Sequence, residues 1–324
     1  MKKIRWGIIG CGAVTEVKSG PGFQKAKNSS LVAVMRRNGK LAQDYAQRHN
    51  VPRWYDDSKK LIDDPEINAV YIATPPSSHK DLTLEVADAG KPVYVEKPMA
   101  NSYNECQEMI KYCSEKNIPL FAAYYRRALP RFIKIKSLVD NGNIGSVRFV
   151  NVAFHQKPYP NDLKGKNHWR INPEIAVGGY FFDLASHMLD IIQYLVGKIV
   201  FATGIASNQM ELYEADDMVS GIFKSGSGIH GTGVWNFNSY GNLDRTEIVG
   251  DRGIITFSTF GESPIVVEGL KGIQKIKIKN PSHIQQPLIQ TIVNELLGTG
   301  KCPSSGKSAA QTNWVMEKIL GIEE

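Results

Sequence analysis

The chain has 324 residues, 42% hydrophobic and 22% charged, an ordinary globular composition that can bury its own core. At about 150 residues per domain this length suits two domains, and no apolar run approaches the roughly 18 residues of a membrane span. The net charge of +7 is spread in short groups such as Arg36-Arg37, Arg126-Arg127 and Lys275, Lys277, Lys279. None is a block of the kind that binds nucleic acid, so anionic small molecules are the expected beneficiaries.

The four cysteines include no close metal-type pair, which argues against a disulfide framework and against a zinc site. Cys106 and Cys113 share a helical stripe with Tyr103 and Ile110 and read as small core hydrophobes. Ile8-Ile9-Gly10-Cys11 after a Lys-Lys start has the outline of a lipoprotein cleavage box. Arg5, however, interrupts the apolar stretch and leaves too little for a signal peptide's core of about 7–15 residues. The start therefore reads as mature structure, and the expected compartment is a reducing cytoplasm.

Ile4 to Ile9 is a short apolar run that meets Gly10-Cys11-Gly12, the order of a buried parallel strand feeding a glycine turn and a helix. Gly10 makes the tight turn and Gly12 admits a pyrophosphate to the backbone. The helix N-terminus behind them supplies free N–H groups and a positive dipole end. Thr15 stands where the third glycine-turn position is normally Gly or Ala and is expected to push the helix outward. Ser19-Gly20-Pro21-Gly22 is expected to interrupt that helix early. The next strand, Leu31 to Met35, ends at Arg36-Arg37. An NAD site places an acid near here, but the first acid is Asp44, within the helical pattern of Leu41, Ala42, Tyr45 and Ala46. Two guanidinium forks suit a 2′-phosphate, so NADP is expected over NAD.

Ala69 to Ala73 is a strand, and Thr74-Pro75-Pro76-Ser77-Ser78 is a loop barred from helix by its prolines. Leu82 to Ala89 is a helix that stops at Gly90. Val93 to Val95 is a strand running into Glu96-Lys97-Pro98, followed by a helix from Ser102 to Lys116 and a strand from Pro119 to Ala123. This alternation makes residues 1–123 an α/β, doubly wound parallel sheet. Its ligands would sit beyond the carboxyl ends of the strands, where Gly10, Gly12, Thr74, Pro75, Glu96 and Lys97 lie.

After Tyr124 the pattern changes. A helix from Pro130 to Asn141 leads into strands at Val147–Phe154, Met218–Lys224, Ile229–Phe237, Arg245–Val249, Ile254–Ser258 and Ile273–Lys279. Without interleaved helices they predict a mostly antiparallel sheet, so residues 124–324 read as an α+β domain. The alternation from Lys275 to Lys279 predicts a strand with one wet face. Helices at Gln286–Leu297 and Ser308–Leu320 are expected to pack on this second domain. An open sheet face is expected to pair with other copies, as a homodimer or homotetramer.

Gly178 to Asp190 reads as the start of a helix, with Asp183, His187 and Asp190 spaced to project from one face. A carboxylate beside an imidazole can hold its tautomer and raise its pKa, so that it takes a proton from an alcohol near neutral pH. The same spacing also suits a plain surface ion pair. The apolar neighbours Phe181, Phe182, Leu184, Leu189 and Ile191 favour a site, because a charged stripe on a buried helix needs a polar partner. Lys97, projecting from the end of a buried strand, can hydrogen-bond a substrate hydroxyl and stabilise developing alkoxide charge.

Together, Ile8-Ile9-Gly10-Cys11-Gly12, Ala73-Thr74-Pro75, Gly90-Lys91-Pro92, Glu96-Lys97-Pro98, Trp169-Arg170, Gly178-Gly179 and Asp183 with His187 four residues on resemble the Gfo/Idh/MocA family of sugar and cyclitol oxidoreductases. The resemblance runs over essentially the whole chain. It implies a Rossmann domain followed by an α+β domain whose large open sheet serves oligomerisation. It implies Lys97 near nicotinamide and substrate, His187 as the acid–base group and Asp183 assisting it. It further implies cofactor contacts at Gly10, Gly12, Ala13, Val14, Arg36, Arg37, Thr74, Pro75, His79, Glu96 and Lys97. Substrate contacts are implied at Arg127, Trp169 and Arg170, and no metal is implied.

Three residues depart from the family pattern: Thr15, Tyr180 where a third glycine is common, and Ser186 where glycine is common before the histidine. The implied reaction is hydride transfer between NADP, or alternatively NAD, and a hydroxyl or carbonyl of a sugar, sugar acid, polyol or cyclitol. In it His187 takes the hydroxyl proton while Lys97 steadies the oxygen. Arg127, Lys164, Lys166, His168 and Arg170 would bias the pocket toward an anionic sugar. The resemblance also extends to dinucleotide-binding regulators and to glycosidases that use the cofactor transiently. The intact Lys97, Asp183 and His187 set favours an oxidoreductase.

Overall fold

The computed structural model describes residues 2–165, 171–270 and 272–322. Among them no helix is long and apolar enough to cross a membrane. The chain divides into two compact units, Met1–Leu129 with Pro281–Ala310, and Pro130–Asn280 with Gln311–Glu324. A single boundary at 123/124 does not describe this division, because the chain returns to the first unit near its end.

The first unit is built on six parallel strands: β1 (Ile4–Ile9), β2 (Ser29–Met35), β3 (Arg53–Tyr55), β4 (Ala69–Ile72), β5 (Val93–Val95) and β6 (Leu120–Ala122). Their order is β3-β2-β1-β4-β5-β6, a doubly wound sheet whose direction of growth reverses between β1 and β4. Strands buried on both faces cannot alternate polar and apolar residues, and every residue of β4 and β5 is buried. The connecting helices are α1 (Gly20–Lys25), α2 (Gly39–Arg48), α3 (Ser58–Ile62), α4 (His79–Asp88) and α5 (Tyr103–Glu115). The start of α5 is fixed by the Ser102 hydroxyl, which accepts from Glu105 N, and by the Glu105 carboxylate, which accepts from Asn101 N. Cys106 and Cys113 are buried as expected, with Met109 beside them, while Tyr103 and Ile110 of the expected stripe are half-buried. The proline loop after β4 differs from the expectation. Pro76–Ser78 forms a 3₁₀ turn that runs straight into α4, and proline fits its first position because no N–H is needed there. The edge strand β3 and the helix α3, at 3 and 5 residues, are too short to announce themselves by periodicity.

In the second unit α6 (Pro130–Asp140), β7 (Val147–His155), α7 (Pro173–Ala176) and α8 (Ser186–Val196) precede β8 (Ile199–Ser207), β9 (Met218–Ser225), β10 (His230–Asn236), β11 (Leu243–Gly250), β12 (Gly253–Phe257), β13 (Ile265–Gly269) and β14 (Gly272–Ile276). The eight strands are ordered β14-β13-β12-β11-β7-β10-β9-β8. All neighbours are antiparallel except β7 and β10. A parallel pair needs a long crossover, and α7, α8, β8 and β9 occupy it, so helices are interleaved after all. The register sorts side chains into rows. Phe154, Trp235, Val219 and Asp244 share the inner face, whereas Ile205 and Ile222 on the outer face are 78% and 51% exposed. The last strand is also shorter than its alternation suggested: β14 ends at Ile276 and lies at the sheet edge with Ile273 67% exposed, so both its faces are wet.

The final helices α9 (Gln286–Leu296) and α10 (Gly306–Leu320) separate from each other. Contrary to expectation, α9 belongs to the first unit. Gly22 of α1 lies so close to it that an added Cβ would stand 3.0 Å from Ile289 Cδ1 and 3.2 Å from Gln286 Cα. The later part of α10 packs on the second unit's sheet, where bare glycine backbone at 204 admits Ile319. An amphipathic stripe announces that a helix face is buried and is silent about which surface covers it.

Candidate functional site

In the first unit the site grows from the exit of β1. Gly10 takes φ +91°, and a Cβ there would stand 2.9 Å from the Ala73 carbonyl carbon, so the turn at β1 and the exit of β4 approach as only glycine allows. The N–H groups of Gly10 and Cys11 both donate to the Met35 carbonyl, at 2.9 and 3.0 Å, which ties the turn to the end of β2. Gly12 is different: a Cβ there would meet only the Gly10 oxygen, at 3.8 Å. Its side faces open room of the kind a pyrophosphate needs, with exposed Ala13 and half-buried Val14 following.

Thr15 does not push the helix outward. Thr15–Ser19 winds as a π turn in which Gly20 N–H reaches the Thr15 carbonyl, and this wider coil takes the threonine fully inside. The Thr15 hydroxyl donates to the Gly12 carbonyl at 2.8 Å, and Tyr45 Oη donates to the Thr15 carbonyl at 2.8 Å. Ser19-Gly20-Pro21-Gly22 therefore marks a change from π to α winding, not an interruption. From the same turn Glu16 reaches Arg48 and His49 of the neighbouring helix end. Hydrogen bonds from the Arg48 guanidinium hold its carboxyl down to about 2.

At the exit of β2, Arg36 and Arg37 are exposed and make no ion pair among the described residues. Arg37 lines an open groove of about 900 Å³ together with Asn38, Gly39, Lys40, Gln43, Trp54 and Asp56. Lys40 and Trp54 add a cation and an aromatic wall that sequence reading passed over. Asp56 is an acid the order of residues hid, since it arrives from β3, and its carboxylate is taken by Lys60 at 3.2 Å.

The exits of β4 and β5 are joined by His79. It is fully buried, with Nε2 2.8 Å from the Thr74 carbonyl and Nδ1 3.1 Å from the Pro98 carbonyl. Burial lowers its pKa, against those two carbonyls. Ser78 Oγ donates to Thr74 Oγ1 at 2.8 Å, and Pro75 is exposed at the rim. Glu96 turns inward. Its Oε1 accepts from Tyr71 Oη and, at 2.7 Å, from Gln285 Nε2, while Oε2 accepts from the Lys97 backbone N–H at 3.1 Å. Tyr94 Oη donates to Gln285 Oε1 at 2.9 Å, and burial pushes both tyrosine phenols up. This buried network holds the backbone from which the half-buried Lys97 projects. The Lys97–Pro98 bond is cis. Arg127 is buried in this unit and donates to the Pro303 carbonyl at 3.0 Å.

In the second unit Gly178 is required by packing, since a Cβ would stand 2.4 Å from the Phe182 ring. Phe181–Ala185 is a second π turn and carries Asp183 into α8, where His187 is only 6% exposed. Asp183 is half-buried, and the Ser186 hydroxyl bonds back to its carbonyl at 3.2 Å. Asp190, expected on the same face, is buried and accepts from Thr312 Oγ1 at 3.4 Å, so it serves the packing of α10. Tyr180 donates to Asp162 Oδ2 at 2.8 Å and packs among the rings of Tyr159, Tyr213 and Phe237. Burial, then the Asp162 carboxylate, raises its phenol pKa. Lys164 is exposed, while Lys166, His168, Trp169 and Arg170 lie outside the described residues.

The comparisons with known proteins agree with this architecture. Residues 4–124 match the oxidoreductase family with an NAD-binding Rossmann fold, and residues 132–256 match the GFO/IDH/MocA C-terminal domain. An oxidoreductase of Formosa agariphila is 40% identical over 98% of this chain and 99% of its own. The myo-inositol 2-dehydrogenase of Thermotoga maritima is 26% identical over 83% of this chain and 79% of its own. A levoglucosan dehydrogenase solved with NADH and levoglucosan shares the fold, with a TM-score of 0.88 and 23% identity, over 99% of this chain and 97% of that one. By sequence over nearly its whole length, and by fold, the chain belongs to the GFO/IDH/MocA family of NAD-binding oxidoreductases.

Proposed function

We propose that this oxidoreductase acts on a secondary alcohol or the corresponding carbonyl of a sugar, sugar acid, polyol or cyclitol, with NADP preferred to NAD. The observation that carries the reading is the shared rim of the parallel sheet. There the glycine turn after β1, Thr74 after β4 and Lys97 after β5 lie at the strand ends beside the switch point. The bound nicotinamide supplies the acceptor or donor of the hydride. Lys97 hydrogen-bonds the substrate oxygen and stabilises its developing negative charge. His187 accepts the hydroxyl proton in oxidation and returns it in reduction, and Asp183 holds its ring in the tautomer that does so. Glu96 serves through Lys97, by way of its buried network, and His79 by clamping the loops after β4 and β5. Arg36 and Arg37 receive the 2′-phosphate, and a cyclitol or sugar substrate is supported by the named activities of the relatives.

The test is cofactor reduction across a panel of sugars, sugar acids and cyclitols, with NADP and NAD in parallel. Turnover with NADP should fall by about 10²–10³-fold in Lys97→Ala and about 10²–10⁴-fold in His187→Gln. Turnover with NAD alone would overturn the NADP preference. Undiminished rates in either variant would remove that residue from the mechanism. We also propose that the outer face of the eight-stranded sheet pairs copies of the chain into a homodimer or homotetramer.

A further inference from the structure

We infer that Phe260 is a positioning residue for His187, and that the loop after β12 is fastened so as to keep its ring there; this rests on His187 being the acid–base group proposed above. The Phe260 ring lies 5.9 Å from the His187 imidazole, centroid to centroid, at 80° between planes, and 5.3 Å from the Phe154 ring. Phe154 belongs to β7, and the register of β7 with β11 sets Asp244 beside it on the inner sheet face. From that place the Asp244 carboxylate collects three backbone N–H groups of the loop: Thr259 at 2.8 Å, Phe260 at 2.6 Å and Gly261 at 3.1 Å. A carboxylate accepting several amide hydrogens is a strong, directional anchor for a loop.

The loop is held at its other side too. Arg131 of α6 is 2% exposed and donates to Ser258 Oγ at 3.1 Å, and Ser258 Oγ meets Ser263 Oγ at 2.8 Å, which joins the loop's two ends. Burying a guanidinium is unfavourable without nearby negative charge, and Asp244 and Glu262 supply it. The buried Arg131 and the half-buried Asp244 thus both hold one seven-residue loop whose aromatic residue faces the imidazole. An imidazole turns freely about its second side-chain torsion unless its neighbours forbid it. Proton transfer tolerates little misalignment of the accepting nitrogen. An aromatic ring set edge-on against the imidazole supplies that restraint without competing for its nitrogens.

The experiment uses the full-length protein with ring-labelled histidine. The His187 ring signal is assigned as the one lost in His187→Gln, and wild type is compared with Phe260→Tyr, Phe260→Leu and Asp244→Asn. Thermal melts establish that each variant folds. Phe260→Tyr, which keeps the ring, should leave the His187 signal near its wild-type position. Phe260→Leu should shift and broaden it. Asp244→Asn should do the same, although it leaves the Phe260 side chain in place. With the best substrate of the panel, kcat should fall about 10–100-fold in Phe260→Leu while the substrate KM changes little.

An unmoved His187 signal in folded Phe260→Leu overturns the inference, as does Phe260→Tyr behaving like Phe260→Leu. If His187→Gln is inactive and the signal is unmoved, the acid–base reading stands and the inference alone falls. If His187→Gln turns over at the wild-type rate, the acid–base reading falls and takes the inference with it.

Discussion

His79 and the arginine pair show how much a single side chain can decide. His79 sits between two carbonyl oxygens in a fully buried position, and burial lowers its pKa, so the fold favours the neutral ring. Its stabilising contribution is complete above the unfolded-state value near 6.5 and is lost as pH falls through the depressed folded value. Unfolding free energies measured in urea between pH 5 and pH 8 should therefore decline toward the acid end in wild type, and the decline should flatten in His79→Gln. Arg36 and Arg37 are exposed at the exit of β2, and the proposed 2′-phosphate contact rests on the charge-assisted bonds a guanidinium fork can give to phosphate. Replacing both by alanine should raise the KM for NADP by about 10–100-fold, on about 1.5–3 kcal/mol for bonds to a charged group. The KM for NAD should change little, and equal effects on the two cofactors would place the 2′-phosphate elsewhere.

At the scale of elements, both π turns lie beside residues of the proposed site. Thr15–Ser19 follows the glycine turn, and Phe181–Ala185 carries Asp183 into the helix of His187. Each lets a bulky residue stay inside while the next helix continues in α winding, which suits π turns' frequent place at functional sites. Periodicity announced helix in both segments. It could not announce the wider turn, because that depends on which carbonyl the Tyr45 hydroxyl or the next amide reaches. The glycine turn itself was legible, and Gly10→Ala should destabilise by about 1–3 kcal/mol through its positive φ and its approach to Ala73. Ser102→Ala should cost about 1 kcal/mol by removing the cap on Glu105 N. Both are read as shifts in urea midpoint at unchanged slope.

At the scale of the molecule, the return of Pro281–Ala310 to the first unit completes it. Leu288, Ile289, Ile292 and Val293 of α9 are buried, and Gln285 joins Glu96 and Tyr94 across 189 and 191 residues of sequence. A fragment of residues 1–129 should therefore show a broader, lower thermal transition than one in which residues 281–310 are fused to it. Identical melts would mean that α9 is not needed for the sheet to fold. The outer face of the eight-stranded sheet carries exposed Phe149, Ile205 and Ile222 at 45%, 78% and 51%. Exposed apolar positions on a large flat sheet favour pairing of copies. Light scattering should give the mass of a dimer or tetramer, and Ile205→Lys with Ile222→Lys should shift it toward the monomer.

Local order was readable because it is written locally. Runs of apolar residues specify buried strands, a glycine at a strand exit specifies a turn, and Glu96-Lys97-Pro98 marks the end of β5, so the doubly wound half and the strand ends that carry Gly10, Thr74 and Lys97 could be placed from the chain alone. The placement of Asp183 and His187 on one helical segment, four residues apart, was legible for the same reason. The parallel pairing of β7 with β10, the unit that α9 joins and the fastening of Phe260 by Asp244 and Arg131 were not. Each depends on contacts between residues far apart in sequence, whose partners are selected by complementary shape and charge once the sheets have formed. A stripe or a lone carboxylate carries no record of what it will meet, and only the folded molecule decides it.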